Sequence, residues 1–415
     1  MNETRNIIVG LDIGRSHSQI CYFDRKEREP VSVSVKAGSN LYEFATLLSK
    51  TPGKEVWHCG LEAEFHTAHE GDLPVYGILG ICGAETPVQI DGREYLPEEL
   101  MAHYLQGCIG LLGVGDPVRQ IKAIMVTVPL LNAPLVRALQ KAGERLGFSR
   151  KQLYLQDYAE SFYYYAMNHR RENWNRRAGW FIFDGNQVSF AKLEIDASRR
   201  PMLAAVRFGE SAMLPEDPQE RDDAFHQLIA DSCRSDAYTS IYMVGPGFDQ
   251  SWAVRSIPYL CRNQRRVYYG NNLYVKGACF GAREKCGEDE LKGLQYLSPM
   301  MIKSNVNMEM DVGGSLRNVP IVEAGRLWYE VYTSLELILD EKEELEFTVI
   351  PMEGGSRAKF VMKLPGLPKR PNKTTRLLLT VTYESEEQCL IRAEDLGFGE
   401  LFPSEGKVWT EKVSW

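Results

Sequence analysis

The chain has 415 residues, enough for two or three domains, and its 44% hydrophobic and 25% charged residues are typical of a globular protein. A net charge of -8 argues against nucleic acid or an anionic membrane surface as the main partner. No apolar run reaches the ~18 residues that span a bilayer, and the first ten residues lack a signal-peptide pattern. Nine scattered cysteines without a C-x-x-C pair are typical of reduced thiols. We therefore expect a cytoplasmic protein with neither a nucleic-acid nor a membrane partner.

Residues 1–170 form the first of two halves with the same predicted order of elements. Alternating apolar and polar residues predict three strands, and residues 37–96, rich in Gly and Pro, read as an irregular insertion. Helices and strands alternate after the insertion. The predicted strands are 6–13, 17–23, 30–36, 121–129 and 152–156, and the predicted helices are 95–113, 133–148 and 158–171.

Residues 171–290 repeat the order β-β-β-α-β-α-β-α without an insertion. The predicted strands are 179–185, 187–195, 201–209, 239–245 and 265–269, and the predicted helices include 217–233 and 272–285. From about residue 306 to residue 415 only strand patterns remain, and residues 287–305 read as the connection. The predicted strands of this part are 327–339, 344–352, 357–366, 374–385 and 388–397. The predicted fold class is therefore α/β plus all-β.

Five motifs carry a family resemblance. They are GLDIGRSHS, AIMVTVPLLNAPLVRALQKAGERLGF with LYLQDYAESFYYYAM, FIFDGNQVSF, YMVGPGFD with NLYVKGACFGA, and RAKFVMKLPGLPKRPNKTTRLLLTVTYESEEQCLIRAED. In this order they resemble the first phosphate loop, the switch-proline crossover, the second phosphate loop, the adenosine segment and the peptide-binding sandwich of the 70-kDa heat-shock chaperone family. The chain is similar to a divergent, lidless member of this family. The resemblance implies a duplicated actin-like, ribonuclease-H-like nucleotide-binding fold followed by a β-sandwich.

The resemblance also implies a site for ATP or ADP with Mg²⁺, because turns after strands can direct backbone N–H groups at phosphate oxygens. Asp12 and Asp184 are the implied Mg²⁺ ligands, and Asp157, in place of a family Glu, completes the implied catalytic carboxylates. The implied nucleotide-binding residues are Gly14, Arg15, Ser16, Gly185, Asn186, Gly245 and Gly247, and the implied interdomain relay is Pro129 with Arg137.

Several of these residues also have a plainer interpretation. A strand that ends in Asp-x-Gly, as at Asp12, is compatible with an ordinary hairpin. Asp157 precedes a predicted helix that starts at Tyr158 and is equally suited to be its N-cap. Pro129 is compatible with the end of a strand.

Departures from the family pattern predict weak nucleotide binding. Glu64 stands where the family has a catalytic Lys, with Arg15 as a substitute cation, and a Glu there opposes the charge of the phosphates. The second loop has Asn186 and Val188 where the family has glycines, and Ser189 stands near a family Thr. Pro246 removes a backbone donor, and no extra subdomain follows Asp184. ATP hydrolysis is therefore expected to be weak or absent.

One group of metal-ligating residue types lies in the insertion. The group comprises His58, Cys59, His66, His69 and Glu70. The His66-x-x-His69 pair has the spacing of one helix face but no matching second pair, so a polar surface is favoured over a zinc site.

Three functions remain open from the sequence. The first is a chaperone-like protein with a weak ATPase domain, whose lidless β part binds extended peptide through backbone hydrogen bonds and exchanges it quickly. The second is a nucleotide-independent pseudo-ATPase scaffold or interaction module, in which the β part recruits a dedicated protein partner. The third is a small-molecule kinase of the same superfamily, which the β part argues against.

Overall fold

The structure is a computed structural model, and it describes residues 6–36, 38–169, 177–234, 237–288, 291, 293–352 and 356–415. The chain forms two compact units, Met1–Tyr296 and Leu297–Trp415. The start of the chain, the end of the helix predicted at 158–171, and the predicted domain limits at 170 and 290 lie outside the described residues.

The first half of the unit Met1–Tyr296 contains a mixed sheet whose order is β3-β2-β1-β10-β11. Strands β1, β2 and β3 pair antiparallel, whereas β10 pairs parallel with β1 and with β11. The elements in chain order are β1 (Ile7–Ile13), β2 (His17–Asp24), β3 (Glu29–Ser32), β4 (Phe44–Ala45), β5 (Leu47–Lys50), β6 (Trp57–Cys59), α1 (Leu61–His69), β7 (Leu73–Tyr76), α2 (Ile78–Ala84), β8 (Val88–Ile90), β9 (Arg93–Tyr95), α3 (Pro97–Gly110), α4 (Pro117–Gln120), β10 (Ile121–Val128), α5 (Ala133–Arg145), β11 (Leu153–Asp157) and α6 (Tyr158–Met167).

The second half contains a sheet with the equivalent order β14-β13-β12-β15-β16, extended by β17 beside β14. Its elements are β12 (Arg177–Asp184), β13 (Gln187–Asp196), β14 (Met202–Met213), α7 (Pro218–Ser232), β15 (Tyr238–Val244), α8 (Ser256–Leu260), β16 (Arg266–Tyr269), α9 (Leu273–Lys285) and β17 (Leu294–Tyr296). The first strand of each half pairs antiparallel with the next strand, as β1 does with β2 and β12 with β13. The same strand pairs parallel with a later one, as β1 does with β10 and β12 with β15. The two sheets therefore share one strand order.

The last helix of each half packs on the sheet of the other half. The α6 residues Phe162 and Tyr163 share a buried cluster with Trp180 of β12, whereas Val275 and Cys279 of α9 are buried against the first sheet. The two helices touch closely, since a Cβ on Gly277 would lie 2.1 Å from the Ser161 carbonyl oxygen. This exchange joins the two halves into one unit.

The prediction of an irregular stretch at 37–96 was wrong. The described part of it contains the three-stranded sheet β6-β5-β7, the hairpin β8–β9 and the helices α1 and α2, while β4 pairs with β2. These elements are two to nine residues long, which is shorter than the windows over which hydrophobic periodicity is read. A short segment therefore gives no periodic signal even where the backbone is regular.

The unit Leu297–Trp415 contains two four-stranded antiparallel sheets, β19-β18-β21-β22 and β20-β23-β24-β25. The strands are β18 (Ser304–Asp311), β19 (Leu316–Val322), β20 (Tyr332–Ile338), β21 (Glu344–Pro351), β22 (Ala358–Lys363), β23 (Arg376–Tyr383), β24 (Gln388–Asp395) and β25 (Val408–Ser414). Alternate residues of β23 and β24 are buried, as a sheet with one covered face requires. Strand β17, inside the stretch predicted as the connection, belongs to the preceding unit.

Candidate functional site

The first turn joins β1 to β2 as a two-residue hairpin. The Gly14 N–H donates to the His17 carbonyl over 3.0 Å, and Arg15 and Ser16 at the tip are exposed. Thr46 holds the turn from outside, because its N–H donates to the Ser16 carbonyl over 2.8 Å and its hydroxyl to the Gly14 carbonyl over 2.9 Å. The Gly14 amide is thus already used within the protein.

Asp12, near the end of β1, is buried and faces an aromatic pair. Its Oδ1 accepts a hydrogen bond of 2.9 Å from the Tyr158 hydroxyl, and the Tyr158 ring stacks on Tyr274 with centroids 3.6 Å apart. Burial, reinforced by the nearby Glu43 carboxylate, raises the pKa of Asp12 to about 8, although the Tyr158 hydrogen bond opposes this shift. The Asp12 carboxyl group is therefore mainly protonated at neutral pH.

The second turn joins β12 to β13 through Gly185 and Asn186. The Gly185 N–H donates to the Pro246 carbonyl over 2.9 Å, so this amide is also used internally. The segment at 245–247 packs directly on the turn, because a Cβ on Gly245 would lie 2.0 Å from the Phe183 carbonyl oxygen. A residue with a side chain does not fit at Gly245 without moving the strand.

Arg221 of α7 holds these two segments together. Its Nη1 donates to Asn186 Oδ1 over 2.8 Å and to the Pro215 carbonyl over 3.1 Å. Its Nη2 donates to the carbonyls of Gly185 and Gly247 over 3.0 and 3.1 Å. Four oxygens around the second turn are therefore satisfied by one buried guanidinium group.

The two turns face each other, since Arg15 Nη1 lies 3.3 Å from Asp184 Oδ2. Both side chains are mostly exposed. An open cavity of about 370 Å³ lies beside the second turn. It is lined by Gly185, Asn186, Glu216, Pro218, Arg221, Gly247 and Trp252. The structure thus brings Arg15, Asp184, Gly185, Asn186 and Gly247 into one region, as the sequence interpretation requires.

The side chains as placed do not fit a Mg²⁺–nucleotide site. Mg²⁺ requires ionised or otherwise free oxygen ligands in an octahedral arrangement. The Asp12 carboxyl group is buried, largely protonated and bonded to Tyr158, and the Asp184 carboxylate is paired with Arg15. The buried Asp12 is therefore not offered to an ion in this arrangement, whereas the exposed Asp184 carboxylate has only a surface pair with Arg15.

Asp157 is the N-cap of α6, the plainer of its two interpretations. Its Oδ1 accepts from the Glu160 N–H over 2.8 Å, and burial raises the pKa of its carboxyl group. Of the predicted relay residues, Pro129 comes two positions after Thr127, the β10 residue that pairs with Asp12 of β1. Pro129 follows the end of β10, and Arg137 Nε donates to Glu85 Oε1 over 2.9 Å within the first half.

Three residues that depart from the family pattern, Glu64, Val188 and Ser189, lie outside the two turns. Glu64 is exposed on α1, while Val188 and Ser189 are the second and third residues of β13. Val188 does not adopt a left-handed conformation, because the turn ends before it and the residue lies in β13. Pro246 keeps a role, since its carbonyl accepts from Gly185.

Three residues of this region were missed by sequence reasoning. Tyr158 and Tyr274 lie in separate helices, and Arg221 lies in a helix read only for its apolar face. Tyr158 is 146 positions from its partner Asp12. No local pattern indicates contacts over such a separation.

Of the histidines noted in the insertion, His58 and His66 lie together, whereas His69 lies outside their group. His58 and His66 come together with Asp72, which the sequence interpretation did not include. His69 instead contacts Phe65, whose carbonyl oxygen lies 3.0 Å from His69 Nδ1. The trio therefore includes His66 but not His69 of the His66-x-x-His69 spacing, and it adds Asp72.

Comparison with known families gives two matches that together cover most of the chain. Residues 29–299 match the C-terminal part of a family of unknown function (DUF5716). The chain belongs to this family. Residues 301–415 match a domain of unknown function (DUF8552), so the second match starts close to the boundary between the two compact units at Tyr296. No match to a curated protein was found.

No helix in the described part of this DUF5716 chain combines the length and apolar character that crossing a membrane requires. The longest helix of that part, α7, has 15 residues and carries charged side chains along its length.

Proposed function

We propose that the unit Met1–Tyr296 is a nucleotide-independent scaffold of the actin-like ATPase type. The unit Leu297–Trp415 then serves to bind a dedicated protein partner or an extended peptide. The repeated strand order of the two sheets and the exchange of α6 and α9 support the actin-like architecture. The resemblance of the sequence motifs to the heat-shock chaperone family supports the same architecture.

The observation that carries the scaffold proposal is the environment of Asp12. A Mg²⁺ ligand in this position must be ionised and open to the cleft, whereas Asp12 is buried and accepts from Tyr158 over 2.9 Å. Burial also raises its pKa to about 8, which disfavours the ionised form. The tyrosine hydroxyl thus satisfies an oxygen that an ATPase would need to leave available.

The partner-binding part of the proposal depends on the sheet edges of the second unit. Strands β22 and β25 each end a four-stranded sheet, and side chains of both strands are exposed. Val361 and Val408 are partly exposed apolar residues on these strands. An edge strand presents backbone groups to which an extended segment can pair.

Calorimetric titration of the full chain with ATP and with ADP, each with and without Mg²⁺, tests the scaffold proposal. We expect no saturable heat at millimolar nucleotide and no phosphate release. Saturable Mg²⁺-dependent binding that Asp12→Ala abolishes would overturn the proposal. Binding that Asp12→Ala leaves unchanged would arise outside the predicted metal site, and it would also contradict nucleotide independence.

Weak binding of ATP or ADP with Mg²⁺ is the second candidate function. The open cavity of about 370 Å³ beside Gly185, Gly247 and Trp252 favours it, because an aromatic face and turn backbone suit a nucleotide base or phosphate. The same titration separates the two functions. The small-molecule kinase alternative has no feature of the described site in its favour.

A further inference from the structure

His58, His66 and Asp72 meet in the small sheet β6-β5-β7 and its helix. His58 lies on β6, His66 on α1, and Asp72 directly before β7. One potential ligand atom from each residue lies within 4.8 Å of the other two. Three different segments of the chain therefore bring metal-ligating side chains within 4.8 Å of one another.

Asp72 has the features of a ligand that is held in place. Its side chain is 1% exposed, and its Oδ2 lies 2.8 Å from His58 Nδ1 and accepts from the Ser49 hydroxyl over 3.1 Å. Its other oxygen, Oδ1, is buried and has no hydrogen bond of standard geometry among the described residues, while the Thr51 hydroxyl interacts with the same carboxylate. A buried carboxylate oxygen without such a bond is costly unless a proton donor or a cation satisfies it.

We propose that His58, His66 and Asp72 bind a divalent transition-metal ion. Two imidazole nitrogens and one carboxylate form a donor set that Zn²⁺ accepts in tetrahedral sites, with water in the fourth position. The Ser49 hydroxyl on Asp72 matches the outer hydrogen bonds that orient metal ligands. The ion satisfies the oxygen of Asp72 that has no hydrogen bond of standard geometry among the described residues.

Metal binding requires a rearrangement of the two histidine side chains. The His58 and His66 rings now stack with centroids 3.7 Å apart and planes 7° apart, so their nitrogens do not converge. In a tetrahedral site with Zn–N bonds of about 2.1 Å, neighbouring ligand atoms lie about 3.4 Å apart. Binding therefore requires the half-buried His66 ring to turn and the His58 Nδ1, now 2.8 Å from Asp72 Oδ2, to move away from that oxygen.

A bound ion would link separate segments of the insertion. The ion would connect β6, α1 and the start of β7, while Ser49 ties the same site to β5. The sheet has strands of only three or four residues and a small core of its own. Structural metal ions add folding free energy to such small elements directly.

Zn²⁺ titration of the full chain after treatment with a chelator tests the proposal. Competition with a chromogenic chelator measures the affinity, and thermal unfolding measures the stabilisation. We expect one Zn²⁺ per chain and a higher unfolding midpoint with Zn²⁺. His66→Ala should weaken binding at least tenfold and remove the shift in midpoint, because it deletes one of three ligands.

His69→Ala is the matched control, since His69 lies on the same helix, is exposed and is outside the trio. This variant should bind Zn²⁺ like the unmodified chain. His66→Ala is suited to the test because the ring makes stacking contacts only, and circular dichroism checks that it folds. Absence of one-to-one binding, or equal losses in the two variants, would overturn the proposal.

Discussion

The first and second turns occupy equivalent places in two sheets of the same strand order, yet different kinds of side chain form the hydrogen bonds of the polar groups near them. At the first turn, an aromatic hydroxyl from α6 binds a buried carboxyl group, Asp12. At the second turn, the Arg221 guanidinium group binds neutral oxygens of the turn and its neighbour, while Asp184 remains exposed.

The same strand order is therefore compatible with two different sets of hydrogen-bond partners at the turn. Strand order fixes where the turns lie, but it does not fix what satisfies their polar groups. In each turn the partner comes from within the protein, which leaves fewer groups for a ligand. Three substitutions test the contrast, and the largest destabilisation is expected at the second turn.

Arg221→Ala should destabilise the unit Met1–Tyr296 by about 3 kcal/mol, because four charge-assisted hydrogen bonds are lost and the oxygens are only partly rehydrated. Chemical unfolding followed by circular dichroism measures the change. Arg234→Ala is the control, since this arginine follows the same helix and, among the described residues, has an exposed ion pair with Asp231. It should cost no more than about 0.5 kcal/mol. Equal effects of the two substitutions would show that Arg221 does not hold the second turn.

Asp12→Asn should raise the stability of the protein increasingly as the pH rises. The native carboxyl group, with its pKa of about 8, keeps a proton that the unfolded chain releases near pH 4, so native stability falls between these values. Asn does not ionise and still accepts from Tyr158. Since one pKa unit corresponds to about 1.4 kcal/mol, we expect the variant to gain up to about 1.4 kcal/mol on the parent per pH unit, or about 4 kcal/mol between pH 5 and pH 8.

Unfolding of both proteins across pH 3.5–8 measures this gain. The difference between variant and parent should flatten toward the acid end of this range, as Asp12 becomes protonated in the unfolded chain as well as in the native protein. A difference that does not change with pH would show that Asp12 is ionised in the native protein, and the carboxylate would again be available to a cation.

Arg15→Ala should have the smallest effect, below about 0.5 kcal/mol, because the side chains of Arg15 and Asp184 are 76% and 69% exposed. A double-mutant cycle with Asp184→Ala measures the coupling, which should decrease in high salt. A coupling above about 1 kcal/mol would mean that the contact between the turns is a structural link rather than a surface pair.

Long periodic segments made most of the α/β architecture predictable from sequence. Strand β10, in IKAIMVTV, and α5, which has a strong apolar face, were predicted within a few residues of their observed bounds. The N-cap role of Asp157 was also one of the two interpretations, because Asp before a helix start is a strong local signal. These features depend on neighbours in sequence.

The remaining features depend on contacts that no local pattern encodes. The short elements of the insertion, the pairing of β17 with β14, and the strands β18, β19 and β25 were not predicted. The Asp12–Tyr158 bond and the joining of Asp72 to His58 and His66 arise only when distant segments pack. Whether the turns bind nucleotide stays a prediction.

The exchange of α6 and α9 between the two sheets has a consequence for synthesis of the chain. The first sheet lacks its covering helix until residues 273–285 have left the ribosome, although all its strands are complete by Asp157. The apolar face that α9 covers therefore stays exposed while more than a hundred further residues are translated. The nascent first half is therefore expected to stay unfinished, to be sensitive to protease, and to mature only together with the second half.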